Sequence, residues 1–171
     1  DARITRLYEG TTGIQALDLL GRKILMNQGE DLRQLTKLIH KYCEGLADNA
    51  AMQDFTQPLA KLNKEWGELT MQIGMQAMQD REAVGAAAVD YLMYSGYVLL
   101  AYFWAQMVEV AQEKLAANPA DANFYQAKLA TAKFYYQRIL PRTKTHAAAM
   151  QAGHESLMAL TSEDFGLGFE I

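Results

Sequence analysis

Cysteine and histidine are the residues of this sequence that could supply a nucleophile or metal ligands. Cys43 is the only cysteine, and it lies beside the apolar positions of a predicted helix, which favours a buried structural thiol over a reactive one. The three histidines are His40, His146 and His154. None has a glutamate three positions before it, as the ligand pairs of di-iron bundles require. We therefore predict no metal site and interpret the histidines as solvated or capping residues.

A carboxylate and a short glycine-containing segment stand near the N-terminus. The run Gly10-Thr11-Thr12-Gly13 is too short for a phosphate-binding P-loop and has no lysine. Thr12 and Gln15 have the spacing of a capping box, which predicts a helix N-terminus here. Glu9 lies just ahead of it, where the helix dipole favours an anion. On these residues alone, a capped helix start is favoured over a catalytic site.

Two further groups of side chains could bind a ligand. Basic residues surround Pro141 and could meet a phosphate or a carboxylate, although a solvated helix end is their more common role. They are Arg138, Arg142, Lys144 and His146. An aromatic set and nine methionines could line a cleft, but a bundle core with tyrosine hydroxyls at its edge is more usual. The aromatic set is Tyr91, Tyr94, Tyr97, Tyr102, Phe103 and Trp104.

Helices must position these side chains, because apolar residues recur at helical spacing along most of the chain. The predicted helices cover about 12–26, 30–48, 54–79, 82–115, 119–140 and 142–152. The third has the clearest apolar stripe, and Pro58 is predicted in its first turn. That stripe is Phe55, Leu59, Leu62, Trp66, Leu69 and Ile73. The sequence therefore predicts an all-α fold, an antiparallel four- to five-helix bundle preceded by a short N-terminal helical segment.

The fourth predicted helix has no charged residue between Tyr91 and Val108. That length is at the lower limit for a membrane span. Ser95 and Gln106 interrupt the run, and no basic cluster flanks it. We therefore predict a central helix that is apolar all round because other helices surround it, and no membrane span.

The composition excludes several classes of protein. The 171 residues carry a net charge of −4, which gives no electrostatic footprint for nucleic acid. Few residues are strand formers, so a sandwich, a barrel or a doubly wound sheet is not expected. A single cysteine cannot form an internal disulfide and suits the reducing cytoplasm. The sequence starts at Asp1 without a secretory leader, as a piece of a longer polypeptide would.

Four short stretches with fixed order and spacing lie within the first 23 residues. They are Asp1-Ala2-Arg3-Ile4, Tyr8-Glu9-Gly10-Thr11, Ile14-Gln15 and Asp18-Leu19-Leu20-Gly21-Arg22-Lys23. Together they resemble the signature near the end of acyl-CoA dehydrogenases, flavoenzymes that introduce a 2,3-double bond into acyl-CoA thioesters. The remainder, including Arg138-Ile139-Leu140-Pro141, resembles the extra helical domain of a bacterial subgroup. That subgroup includes long-chain and methylmercaptopropionyl-CoA dehydrogenases.

The resemblance implies roles for five residues. Glu9 matches the catalytic base that removes the C2 proton of the acyl group while a hydride passes from C3 to the flavin. A carboxylate in an apolar pocket has a raised pKa and is a competent base near neutral pH. Gly10 matches a substrate-binding glycine. Thr11, Thr12 and Gly13 match contacts to FAD, where a helix N-terminus suits an anionic cofactor. Many relatives carry Gln or Glu at the position of Gly13.

The resemblance also implies a division of the chain and a set of partners. Residues 1–28 match the end of the catalytic helical domain, and residues 29–171 match an accessory C-terminal bundle. The implied partners are an acyl-CoA substrate, electron-transfer flavoprotein and a second copy in a homodimer, in the bacterial cytoplasm. Because the flavin supplies the electron sink, we expect the chain alone to be inactive and to bind no FAD. The alternative is a non-catalytic helical module for oligomerisation or for covering a substrate entrance.

Overall fold

Helices form the regular structure of this chain. The computed structural model describes Ile4 and residues 10–166, apart from the side chain of Met158. The main helices are α1 (Thr12–Leu17, continuing as a π-helical stretch Asp18–Leu25), α2 (Glu30–Gly45), α3 (Gln53–Gln79), α4 (Glu82–Ala116), α5 (Ala122–Phe134, followed by a π-helical turn Tyr135–Ile139), α6 (Thr143–Gln151) and α7 (Glu155–Met158). Short 3-10 turns occupy Ala50–Met52, Leu140–Arg142 and Ser162–Phe165. Strands are absent from this described part, and the predicted all-α bundle is confirmed.

The centre of the bundle is α4, which contacts α1, α3, α5 and α6. Its residues Tyr91, Tyr94, Val98 and Val108 are completely buried, and burial of a large apolar side chain contributes roughly 1.5–3 kcal/mol. Among the described helices, α4 alone has the length and apolar composition to cross a membrane. Its contacts with four other helices match the predicted role of a core helix.

The burial of α4 is nevertheless incomplete. Leu100 and Phe103 on one face remain about half exposed, so the prediction that other helices surround α4 on every side is wrong for this face. The exposed face could not be predicted from the sequence, because a helix that is apolar on all sides has no periodic pattern that indicates which side faces water.

The apolar stripe of α3 is buried as its spacing predicts, with only Leu62 less than fully covered. The helix begins one residue earlier than expected, at Gln53. The 3-10 turn before it leads directly into the helix, and the Asn49 side chain caps that turn by accepting a hydrogen bond of 3.1 Å from the Ala51 amide. Pro58 therefore lies in the second turn of α3, not in the first.

The N-terminal helix packs on the bundle. Ala16, Leu20 and Ile24 are buried in the same hydrophobic core as residues of α2, α3 and α4. Gly21 lies close to α4, since a Cβ added there would stand 3.8 Å from Cγ1 of Val84. Helices on both sides of residue 28 thus share one core, and the domain boundary between residues 28 and 29 stays a prediction.

Candidate functional site

The predicted site lies at the N-terminal end of α1. Glu9, the predicted base, is outside the described residues. Gly10 has a φ of 146°, a conformation that L side chains rarely adopt, so the backbone itself favours glycine at this position. A Cβ added to Gly10 would meet nothing within 4 Å. Among the described residues, the space that a side chain at Gly10 would take is therefore not filled by another part of the fold.

The start of α1 differs from the predicted capping box. Thr12 is already the first helical residue, and Thr11 is the N-cap residue without a side-chain capping hydrogen bond, so the prediction that Thr12 caps the helix is wrong. The Gln15 amide donates to the Thr11 carbonyl at 2.8 Å. Amides before this first bond have no carbonyl one turn earlier in the helix, and such an end attracts anions. Thr11 and Gly13 are exposed, and Thr12 is half-buried.

An ion pair and an exposed apolar face distinguish the rest of this helix. Asp18 pairs with Arg22 and lies 3.5 Å from the Lys23 ammonium. The hydrogen bond from Arg22 is the main cause that lowers the pKa of Asp18. Ile14 and Leu17 are exposed although Ala16 and Leu20 are buried. The helix therefore presents apolar side chains toward the bundle and also away from it.

Two histidines form partly buried pairs with aspartates. His146 Nδ1 lies 2.8 Å from Asp90 Oδ1, and its ring stacks on Tyr97 with 5.6 Å between centroids. His154 Nε2 lies 2.9 Å from Asp80 Oδ2. The interpretation as a solvated or capping residue is wrong for His146, whereas His154 does occupy the N-cap position of α7. The first pair fastens α6 to α4, and the second fastens the start of α7 to the corner between α3 and α4. Nothing in the sequence signals them, because 56 positions separate Asp90 from His146.

The remaining candidate groups do not converge on a second site. Arg138, Arg142 and Lys144 are exposed to solvent, while His146 is held by Asp90. Cys43 is buried, and burial raises the pKa of its thiol to about 11, which matches the predicted structural thiol. Within the described ranges, no three His, Cys, Asp or Glu side chains come together as metal ligands.

Tyrosine hydroxyls fasten α4 to its neighbours, as the predicted core interpretation requires. The hydroxyls of Tyr91 and Thr70 are 2.7 Å apart, and Tyr94 donates to the Leu62 carbonyl at 3.0 Å. Burial raises the pKa of Tyr91 to about 12. The methionines differ from the prediction, because most are exposed instead of filling the core. The exposed ones are Met26, Met71, Met75, Met78, Met93 and Met107.

Comparison with known proteins gives one consistent result. The family model described as "Acetyl-CoA dehydrogenase C-terminal like" matches residues 35–161. The chain is 33% identical over 159 residues to 3-methylmercaptopropionyl-CoA dehydrogenase of Ruegeria pomeroyi, which covers 92% of this chain and 27% of that protein. It is 30% identical over 173 residues to the broad-specificity linear acyl-CoA dehydrogenase FadE5 of Mycobacterium tuberculosis, covering 96% of this chain and 28% of the relative.

A butyryl-CoA dehydrogenase of Syntrophomonas wolfei is 27% identical over 169 residues, which is 95% of this chain and 27% of the relative. The chain therefore spans 27–28% of the length of these curated relatives. Each similarity runs along nearly the whole chain, so it includes the N-terminal helix as well as the bundle.

Proposed function

Because the chain belongs to the family of acetyl-CoA dehydrogenase C-terminal-like domains, we propose that it is the C-terminal part of an FAD-dependent acyl-CoA dehydrogenase. The enzyme introduces a 2,3-double bond into acyl-CoA thioesters, in the oxidation of fatty acids or related acyl groups. The observation that carries this proposal is the similarity to three acyl-CoA dehydrogenases over 92–96% of the chain.

In this proposal Glu9 removes the C2 proton of the acyl group. Gly10 follows it directly, and the absence of a side chain on glycine supports the close approach of a thioester. A carboxylate enclosed in an apolar, water-poor site has a raised pKa and accepts a proton near neutral pH, and in this proposal the complete enzyme provides such a site around Glu9. In this proposal Glu9 therefore removes the proton and Gly10 binds the substrate.

The helix start at residues 11–13 fits the proposed cofactor. The run from Gly10 to Gly13 carries no carboxylate, and α1 begins within it at Thr12, so the positive end of the helix dipole lies there and suits an anionic group. Thr11, Thr12 and Gly13 would therefore hold an anionic part of FAD, with Gly13 contributing its backbone. When bound, FAD supplies the electron acceptor for the hydride that leaves C3.

The whole enzyme needs more than this chain. Its relatives are more than three times as long, since the matched stretch is only 27–28% of each. We therefore expect the 171 residues alone to bind no FAD and to be inactive. In the complete enzyme we expect electron-transfer flavoprotein as the electron acceptor, a homodimeric assembly and a place in the bacterial cytoplasm.

The test is Glu9→Gln in the full-length enzyme that carries this chain. Loss of a general base lowers turnover by about 10²–10⁴-fold, while the flavin absorbance of the purified variant stays unchanged. Glu163→Gln is the matched control, because Glu163 is an exposed carboxylate in the C-terminal 3-10 turn. Wild-type turnover in Glu9→Gln would refute the proposed base.

A second role is compatible with the first. The exposed apolar face of α4 favours a bundle that also makes a protein contact, in agreement with a module for oligomerisation. Because this role depends on a surface instead of on Glu9, the two proposals can be tested separately.

A further inference from the structure

The exposed face of α4 carries an unbroken coiled-coil pattern. Seven residues follow one another with alternating steps of four and three, and the six with side chains are 37–52% exposed. They are Val89, Met93, Gly96, Leu100, Phe103, Met107 and Val110. Steps of four and three sustained over three heptads describe the seam of a helix that packs against another helix along its length. We call this set the α4 seam.

We propose that the α4 seam binds the α4 seam of a second copy, in antiparallel orientation, across a two-fold axis near Leu100. This inference deepens the homodimer proposed above and rests on it. The key observation is the size of the side chains on either side of Leu100. When one copy is reversed about this point, Phe103 of the second copy comes over Gly96, Met93 comes near Met107, and Val89 comes near Val110.

Gly96 provides space for the phenyl ring of the second copy. A Cβ added to Gly96 would meet nothing within 4 Å, whereas Phe103 projects 52% exposed from the same face. A parallel pair would instead set Phe103 against Phe103 and Gly96 against Gly96, which crowds one layer and leaves the other empty. The pattern therefore favours the antiparallel arrangement, in which Phe103 of each copy packs over Gly96 of the other.

Charge and area also fit a second copy. Each chain carries a net charge of −4, but none of the seven seam positions is charged, and of the two carboxylates within 89–110, Asp90 is paired with His146, which leaves Glu109, so the charge along the seam is low. A fully exposed side chain of this kind has a surface of roughly 150–200 Å². Multiplied by the exposed fractions of the six seam side chains, this gives about 500 Å² of exposed apolar surface per copy. Two copies together then bury roughly 1,000 Å², the area that a specific interface needs.

A groove beside the seam extends this surface. It lies between α4 and α5, has a volume of about 470 Å³, and is lined by Phe103, Met107, Val110 and Phe124. Phe124 is itself 56% exposed, so apolar area continues from the seam onto α5. The competing occupant is another part of a longer polypeptide. A surface shaped for such a part has no reason to be complementary to itself when reversed about Leu100, as the α4 seam is.

Single-cysteine cross-linking of the 171-residue chain tests the arrangement. The only native cysteine, Cys43, is buried, so an introduced cysteine is the reactive thiol. We expect Leu100→Cys to form disulfide-linked dimers on mild oxidation. Met93→Cys and Met107→Cys should each stay largely uncoupled alone and couple when mixed in equal amounts. The control is Leu38→Cys on α2, where Leu38 is 51% exposed against 49% for Leu100.

Two results would overturn the proposal. One is a dimer yield of Leu100→Cys no higher than that of Leu38→Cys at every oxidant concentration, and the other is coupling of Met93→Cys to itself as readily as to Met107→Cys. A second measurement covers poorly behaved cysteine variants: Leu100→Glu should raise the dimer dissociation constant by about tenfold or more in analytical ultracentrifugation, with Leu38→Glu unchanged. These assays read contacts between copies and not turnover, so their failure is distinct from failure at Glu9.

Discussion

Gly67 and Gly96 offer a matched pair of substitutions that separates the stability of one copy from its self-association. Both lie in the interior of long helices, α3 and α4. At each, an added Cβ would meet nothing within 4 Å. The two sites differ in their surroundings on the proposed dimer, because only Gly96 lies on the α4 seam.

The expected magnitude follows from helix propensity. Glycine in a helix interior is about 0.8–1.0 kcal/mol less favourable than alanine. No atom of the fold stands in the way of either methyl group, so Gly67→Ala and Gly96→Ala should each raise the free energy of unfolding of a single copy by nearly that amount. For a domain of this size the midpoint temperature rises by about 2–4 °C per kcal/mol.

Self-association adds a dependence on protein concentration. A protein that unfolds from a dimer becomes more stable as its concentration rises, by mass action. Gly67→Ala should show the same concentration dependence as the wild type, with a higher midpoint temperature at every concentration. Gly96→Ala should have a higher midpoint temperature than the wild type at the lowest protein concentration. This difference should shrink as the concentration rises, because the new methyl group occupies the space that Phe103 of the second copy needs.

Thermal unfolding followed by circular dichroism over a hundredfold concentration range measures both effects. Destabilisation by Gly96→Ala at the lowest concentration would contradict the open space above Gly96. A concentration dependence of Gly96→Ala equal to that of Gly67→Ala would refute the contact between Gly96 and Phe103.

Two further predictions concern the core. Thr70→Val should destabilise the fold by about 1–3 kcal/mol and Tyr91→Phe by only about 1 kcal/mol in urea unfolding. Thr70 donates its hydroxyl proton to the Trp66 carbonyl, so in the bond between the two hydroxyls Tyr91 is the donor. Thr70→Val therefore leaves the buried Tyr91 hydroxyl without an acceptor, whereas Tyr91→Phe leaves no donor unpaired. Equal losses of stability in the two variants would contradict this donor assignment. Burial raises the pKa of the Cys43 thiol from 9.0 to about 11. Above pH 9 the thiol of the unfolded chain loses its proton while the buried thiol keeps it, which favours unfolding. The stabilisation that the Cys43 side chain provides is therefore complete below pH 9 and is lost as the pH rises toward 11. The free energy of unfolding of wild type minus that of Cys43→Ala should therefore fall between pH 9 and 11, and parallel curves would show that the thiol is not buried as described.

Local periodicity explains which parts of the fold the sequence predicts well. The stripe from Phe55 to Ile73 is buried because residues three and four apart share one face of a helix, and this relation needs no knowledge of distant partners. Helix boundaries depend on single hydrogen bonds, and there the sequence was less informative. The cap at α1 is one residue earlier than its capping-box spacing indicated, and α3 starts ahead of Asp54.

Contacts between distant residues were not predictable in this way. The pair of Asp90 and His146 joins helices that only the tertiary fold brings together. The candidate site has a different limit, because the assignment of Glu9 rests on resemblance and not on local physics. The positive φ of Gly10 is the one feature of that site for which the residue type and the backbone agree independently of the resemblance.

The apolar composition of α4 on all sides has two parts that need separate explanations. Burial among four neighbouring helices accounts for the composition of most of its surface, since Tyr91, Tyr94 and Val98 are completely covered. It does not account for Leu100 and Phe103, which face water in a single copy. Exposed apolar residues scattered singly need no explanation, but a continuous seam about 32 Å long, at a rise of 1.5 Å per residue, is typical of a surface that another protein covers. In the proposed dimer, the uniform composition of α4 serves two kinds of contact, one within the copy and one between copies, and only the second is sensitive to Gly96.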